Sequence, residues 1–177
     1  LILEGYLRKH YARSFPLSIY AGIAFEQSYA EVDGDSASSS ELFALLSAIG
    51  ELEVRQDIAV TGSVNQMGEI QPVGGINEKI EGFFHTCRSL GLTGKQGVII
   101  PYQNVTNLIL SYEILQAIKD RTFFIYPIRT IEEGMRILTG RPSGVRNAKG
   151  NWSAGNFNYD IENRLRRMYQ AGLSGRS

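Results

Sequence analysis

The run "DIAVTGSVNQMGEIQPVGGINEKIEGFF", residues 57–84, carries three kinds of local signal in one stretch. Its first part, "DIAVTGS" (57–63), is apolar and partly β-branched, which predicts a strand. The overlapping "SVNQMGEIQPV" (63–73) predicts a hairpin turning at Asn65–Gly68. Beyond Gly74 and Gly75, the residues Ile80, Phe83, Phe84 and Cys87 recur at i, i+3, i+4 and i+7. That spacing predicts a helix over about 76–90, stopped by Gly91.

The same alternation continues on both sides. Downstream, "GVIIP" (97–101) predicts a short buried strand, followed by a helix over about 105–119, a strand "FFIYPI" (123–128) and a helix over 130–139. Upstream, Leu42, Leu45, Leu46 and Ile49 predict a helix from Ser38 that ends at Gly50. Residues 1–13 also fit a helix, and "FPLSIYAGIAF" (15–25) a mostly buried strand after Pro16. Residues 27–35 form a loop rich in Gly, Asp and Ser. Strands alternating with helices point to an α/β or α+β domain, and no internal repeat is present.

From Gly140 the composition changes. "GRPSGVRNAKGNWSAGN" (140–156) has the Gly, Ser and Asn content of a flexible linker. A short helix near 158–171 follows, with Ile161, Leu165 and Met168 on one face, expected to dock on the body of the same chain. The expected division is therefore a folded domain over 1–140 and a linker with a short C-terminal helix over 141–177.

The 177 residues suffice for one domain with a real core. Lys+Arg and Asp+Glu both number 18, so no bulk positive field gathers nucleic acid or an anionic membrane. No apolar run reaches the roughly 20 residues of a membrane helix. The single cysteine, Cys87, excludes an internal disulfide, suits a reducing compartment such as the cytoplasm, and is expected to pack in the core. The chain starts with Leu and lacks the features of a signal peptide, which fits a fragment of something longer.

Chemistry concentrates in "EVDGDSASSSELFALL" (31–46), where hydroxyls crowd a helix start. Ser38 followed by Glu41 is a Ser-x-x-Glu capping box, which explains one serine. Ser36, behind Asp33-Gly34-Asp35 and ahead of small Ala37, is left over. A serine held on a tight turn before a helix has the exposure a nucleophile needs, with free backbone N–H groups nearby. The histidines are poor bases for it: His10 is expected to be solvated, and no carboxylate obviously orients His85. Nor do His85 and Cys87, two apart on a helix, form a metal pair. A lysine serves as a base only when neutral, which burial favours. Lys79, one of five lysines, sits in the first turn of a helix behind Gly74 and Gly75, where the dipole disfavours a second cation. Its alternative is a solvated surface charge beside Glu78.

Together, "VDGDSASSSE", "IAVTGSVNQMGEIQPVGGINEKIEGF", "GVIIP" and "FFIYPIRTIEEGMRILTG" resemble the proteolytic domain of the Lon family of ATP-dependent serine proteases, over about residues 15–140. The two motifs stand 43 residues apart, the separation seen in that family. The resemblance implies the Lon protease-domain fold, similar to the ribosomal protein S5 domain 2-like topology. It implies Ser36 as nucleophile and Lys79 as general base of a Ser-Lys dyad. It also implies that Thr61 holds the lysine amine, that Asp33 orders the loop, and that backbone N–H groups around Gly34–Ser36 receive the oxyanion.

Further expectations follow from the resemblance: unfolded polypeptide as substrate, a hexameric ring, and no cofactor in this chain. ATP and magnesium belong to an ATPase module outside it, since "GLTGKQG" lacks the P-loop spacing and hydroxyl. The Asp-Gly-Asp-Ser-Ala-Ser wording resembles the B-type branch, some of whose members are membrane-anchored through segments not found in these residues. Asp35 in that wording would steady the loop or hold a resting dyad apart. The family also carries further strands ahead of the helix that opens this chain. Two rivals stand beside this reading. One is a small-molecule kinase-like domain cradling phosphate in the Ser-rich loop, against which Asp33 and Asp35 argue. The other is an inactive oligomerisation module of the same fold.

Overall fold

In a computed structural model, which describes residues 2–24 and 35–174, the run 57–84 forms a strand, a hairpin and a helix in that order. The elements are helices α1 (Ile2–His10), α2 (Ser38–Gly50), α3 (Ile76–Leu90), α4 (Tyr112–Lys119), α5 (Ile131–Thr139) and α6 (Phe157–Ser174). The strands are β1 (Ile58–Val60), β2 (Ser63–Val64), β3 (Ile70–Gln71), β4 (Gly97–Pro101) and β5 (Phe124–Ile128). This is the mixed α/β architecture expected.

Strands β1, β4 and β5 form a parallel sheet in the order β1-β4-β5, with Ile58 opposite Gly97 and Gly97 opposite Phe124. Its centre, β4, is buried along its length, as a parallel strand covered on both faces must be. Val98 and Ile100 pack with Ile76, Ile80 and Phe84 of α3 and Ile114 of α4. Ile99 faces the other way, into a core of Leu42, Leu46, Met135, Ile161 and Leu165 from α2, α5 and α6. The β2–β3 hairpin is antiparallel and turns where expected; the Asn65 side chain accepts from the N–H groups of Met67 and Glu69.

Close packing of α2 on α5 rests on a glycine. A Cβ at Gly134 would lie 2.2 Å from the ring of Phe43 and 3.1 Å from Ile128. Phe43 is itself buried and cannot swing away. Gly134→Ala is therefore expected to lower stability by about 1–3 kcal/mol despite alanine's better helix propensity, as overpacked cores do. Urea unfolding checks this; an unchanged midpoint would show that the two helices can spread at no cost.

Four expectations are corrected. Residues 16–24 form no strand: Leu17 and Ile19 are half-buried and Tyr20 is fully exposed, and no neighbouring strand pairs with them among the described residues. The helix expected over 105–119 is a 3-10 turn, Tyr102–Asn107, followed by α4. Asn77 of α3 pins the break, accepting from Ile109 N–H and donating to the Asn107 carbonyl. His10 is not solvated. It stacks on Tyr6 at 4.2 Å, lies 3.7 Å from Glu132, and its burial favours the neutral ring. The fourth, the capping box, is lost to the strand described below.

Residues 141–156 run through hydrogen-bonded turns. Arg146 lies over Trp152 at 4.4 Å and pairs with Glu162 of α6 at 2.9 Å, while also donating to the His10 carbonyl. Ile161 and Leu165 of α6 are buried against the body of the chain, as their stripe predicts; Met168 is at the rim.

Candidate active site

Hydroxyls crowd the start of α2 because most of them bond backbone. Asp35–Ala37 forms a 3-10 turn ahead of the helix. Ala37, the residue before α2, caps nothing with its side chain. Ser38, expected to cap with Glu41, instead donates to the Asp35 carbonyl at 3.0 Å and accepts from Val64 N–H at 3.0 Å. The strand N–H outcompetes the helix because it is buried and would otherwise go unpaired. Ser39 is buried and donates to the Gly62 carbonyl at 2.7 Å; Ser40 donates to the Ala37 carbonyl at 2.7 Å. Ser36 differs: among the described residues its hydroxyl has no hydrogen-bond partner.

The turn is tied to the strand beside it at several points. Gly62 N–H donates to the Ser36 carbonyl at 2.9 Å, and the Gly62 carbonyl accepts from Ser39 N–H at 3.1 Å. The Ser63 hydroxyl donates to the Asp35 carboxylate. Sequence reasoning missed Ser63 as a partner of this turn and Ser39 as the residue that ties the start of α2 to Gly62.

Thr61 follows β1 directly, is buried, and donates its N–H to the Ile99 carbonyl at 3.1 Å, so the β4 ladder fixes its position. Lys79 stands in the first turn of α3. The helix is entered through Gly75 at φ 64°, a left-handed conformation that suits glycine, and Lys79 N–H donates to the Gly75 carbonyl at 3.1 Å.

These elements converge on one cleft of about 240 Å³, lined by Ser36, Ala37, Ala59, Val60, Thr61, Lys79 and Val98. Ser36, Thr61 and Lys79 thus line one cleft although each comes from a different element. Asp33 and Gly34 lie outside the described residues. Asp35 is exposed and turned to Ser63. The burial that favours a neutral Lys79 is not found: the residue is exposed, as the alternative of a solvated surface charge has it. Among the described residues, neither its amine nor the Thr61 hydroxyl has a hydrogen-bond partner.

A larger hollow of about 660 Å³ lies along α5 and the end of β5. Its charges are mostly engaged: Arg129 stacks on Tyr102, Arg141 pairs with Asp160, and Glu133 accepts from Arg129 N–H. No cluster of three His, Cys, Asp or Glu side chains suited to a metal ion occurs among the described residues, and no helix there is long and apolar enough to cross a membrane.

Set against known proteins, residues 25–139 match the family model described as the Lon protease (S16) C-terminal proteolytic domain. A putative Lon protease homolog of Escherichia coli (strain K12) is 47% identical over 138 residues, which are 78% of this chain and 24% of that protein. One from Haemophilus influenzae is 50% identical over 125 residues, 71% of this chain and 21% of that protein. An archaeal Lon protease of Thermococcus kodakarensis is 37% identical over 115 residues, 65% of this chain and 16% of the other. The chain thus spans less than a quarter of the length of these relatives.

Proposed function

This chain belongs to the Lon family through its C-terminal proteolytic domain, and from that premise we propose that it hydrolyses peptide bonds of unfolded polypeptides with Ser36 as nucleophile and Lys79 as general base. The observation that carries the reading is the shared cleft: Ser36, whose hydroxyl has no partner among the described residues, lines the same cleft as Lys79 and Thr61.

The neutral Lys79 amine accepts the Ser36 proton while the serine oxygen attacks the peptide carbonyl. Backbone N–H groups at the Ser36 turn hold the oxyanion. The lysine ammonium then gives its proton to the leaving amine, and water, deprotonated by the same lysine, releases the acyl group and regenerates the serine. Thr61 orients the amine from its fixed place beside β4. Because Lys79 is open to solvent in the single chain, the dry environment that keeps it neutral comes from bound substrate and from neighbouring copies in a hexameric ring. ATP and magnesium act in an ATPase module outside these residues, which delivers unfolded chains. Asp35, bonded to Ser63, steadies the nucleophile's turn.

Hydrolysis of an unstructured fluorogenic peptide by the intact protein tests this. Cleavage blocked by a serine-directed acylating probe is expected. Cleavage indifferent to the probe would overturn the assignment.

A further inference from the structure

The uninterrupted run "PIRTIEEGMRILTGRPS" (127–143) supplies the walls of the larger hollow. Pro127, Ile128 and Arg129 bring the end of β5 to it. Along α5, Glu133, Arg136, Ile137 and Gly140 fall at i, i+3, i+4 and i+7, so they share one face of the helix. Past Gly140, Arg141, Pro142 and Ser143 complete the rim. The volume of about 660 Å³ suits a small organic molecule.

Three guanidiniums meet one carboxylate in these walls. Arg129 stacks on Tyr102 at 3.3 Å, and Arg141 pairs with Asp160 at 2.6 Å. These contacts hold two of the guanidiniums in place without saturating them. Each carries five N–H donors; stacking uses none, and the Asp160 contact is made through one nitrogen. Arg136 is exposed and has no ion pair, hydrogen bond or ring contact among the described residues. The Ser143 hydroxyl has no hydrogen-bond partner there either. The opposing carboxylate, Glu133, already accepts from Arg129 N–H at 2.6 Å. A cation in the last turn of a helix ordinarily answers the helix dipole, which accounts for Arg136. It does not account for Arg129 at the end of a strand or for Arg141 beyond the helix.

We propose that this hollow binds a small organic oxyanion: the guanidiniums of Arg129, Arg136 and Arg141 take its phosphate or carboxylate, and Pro127, Ile137 and Pro142 take its apolar part. The planar fork of arginine matches both oxyanions through paired N–H groups. The site is distinct from the cleft of Ser36 and Lys79, with which it shares no lining residue. Its rim is anchored to the start of α6. Phe157 N–H donates to the Pro142 carbonyl at 3.1 Å, and the Asn158 amide donates to the Ser143 carbonyl at 2.9 Å. A ligand bridging Arg136 and Arg141 therefore ties α5 to the C-terminal segment and stabilises the folded protein.

The test titrates the intact protein with inorganic phosphate, phenyl phosphate and benzoate at constant ionic strength, with chloride as the reference. Melting temperature and calorimetric heats are the readouts. A saturable rise in melting temperature is expected, with phenyl phosphate bound more tightly than inorganic phosphate because its ring covers apolar surface. The tighter of phenyl phosphate and benzoate identifies the headgroup. Arg136→Gln should weaken binding about tenfold, the scale of one lost charge-assisted contact. Arg129→Gln should do the same. Glu133→Gln, which keeps an acceptor for Arg129 N–H and removes the opposing charge, should tighten binding several-fold. A response that chloride matches, phenyl phosphate bound no more tightly than inorganic phosphate, or an affinity unchanged in both arginine variants overturns the site. Arg136 has no partner to lose, so its variant should melt with the parent when no ligand is present. Peptide cleavage plays no part in these readouts, so the result stands apart from the dyad.

Discussion

Ser36→Ala is expected to lower kcat for peptide hydrolysis by about 10⁴-fold or more, leaving peptide binding and thermal stability near those of the parent. The reason is local. In "SASSS" (36–40) three hydroxyls bond backbone groups: Ser38 joins the turn to Val64, Ser39 grips the Gly62 carbonyl, and Ser40 donates to Ala37. Removing any of these strips a bond from the scaffold, so stability should fall by about 1–3 kcal/mol, with activity falling in step. Removing the Ser36 hydroxyl strips no bond made among the described residues. A large loss of turnover with an unchanged melting temperature is thus the signature of a reacting group. Initial rates on an unstructured peptide and a thermal melt on the same variants separate the cases. Turnover in Ser36→Ala within tenfold of the parent would remove the serine from the chemistry.

Substitution of Lys79 should have the second-largest effect. Lys79→Met and Lys79→Arg are both expected to cost on the order of 10²–10⁴-fold in kcat, the usual worth of a general base. The arginine variant is the more informative. It keeps a positive charge in the same cleft, but a guanidinium does not give up its proton in proteins and cannot take one from Ser36. Were the lysine present only to attract a carbonyl or steady the turn by its charge, arginine would restore much of the rate. Equal losses in the two variants identify proton transfer; recovery in Lys79→Arg assigns the residue an electrostatic role. Because Lys79 is exposed and its side chain is unpaired among the described residues, neither variant should affect folding.

Much of this was legible in the residues, for identifiable reasons. The helix over 76–90 and the strand at 97–101 were plain because their apolar residues repeat at the period of the element and are buried as that period requires. The hairpin at Asn65–Gly68 was plain because its turn chemistry is local. What escaped was decided by partners far along the chain. Asn77 stops a helix from starting before Tyr112, and no pattern within 105–119 contains that side chain. Val64 recruits Ser38 away from the cap its own sequence suggests. Glu132 and Tyr6 bury His10. At the site, the pairing of Ser36 with Lys79 came from family likeness, since nothing in the 42 residues between them says that they meet. The cleft exists because Thr61 and Gly62, at the end of β1, lie beside both the Ser36 turn and the start of α3. For Lys79 the sequence left burial and a solvated surface charge both open, and the structure shows the residue exposed.

The central claim is that one amine draws the proton from one hydroxyl, and a structure of the assembled protein bound to a peptide boronate measures it. The expected result is boron bonded to the Ser36 oxygen, with the Lys79 nitrogen about 2.6–3.2 Å from that oxygen. Boron on another hydroxyl, or an adduct at Ser36 with the lysine turned out to solvent, would contradict it.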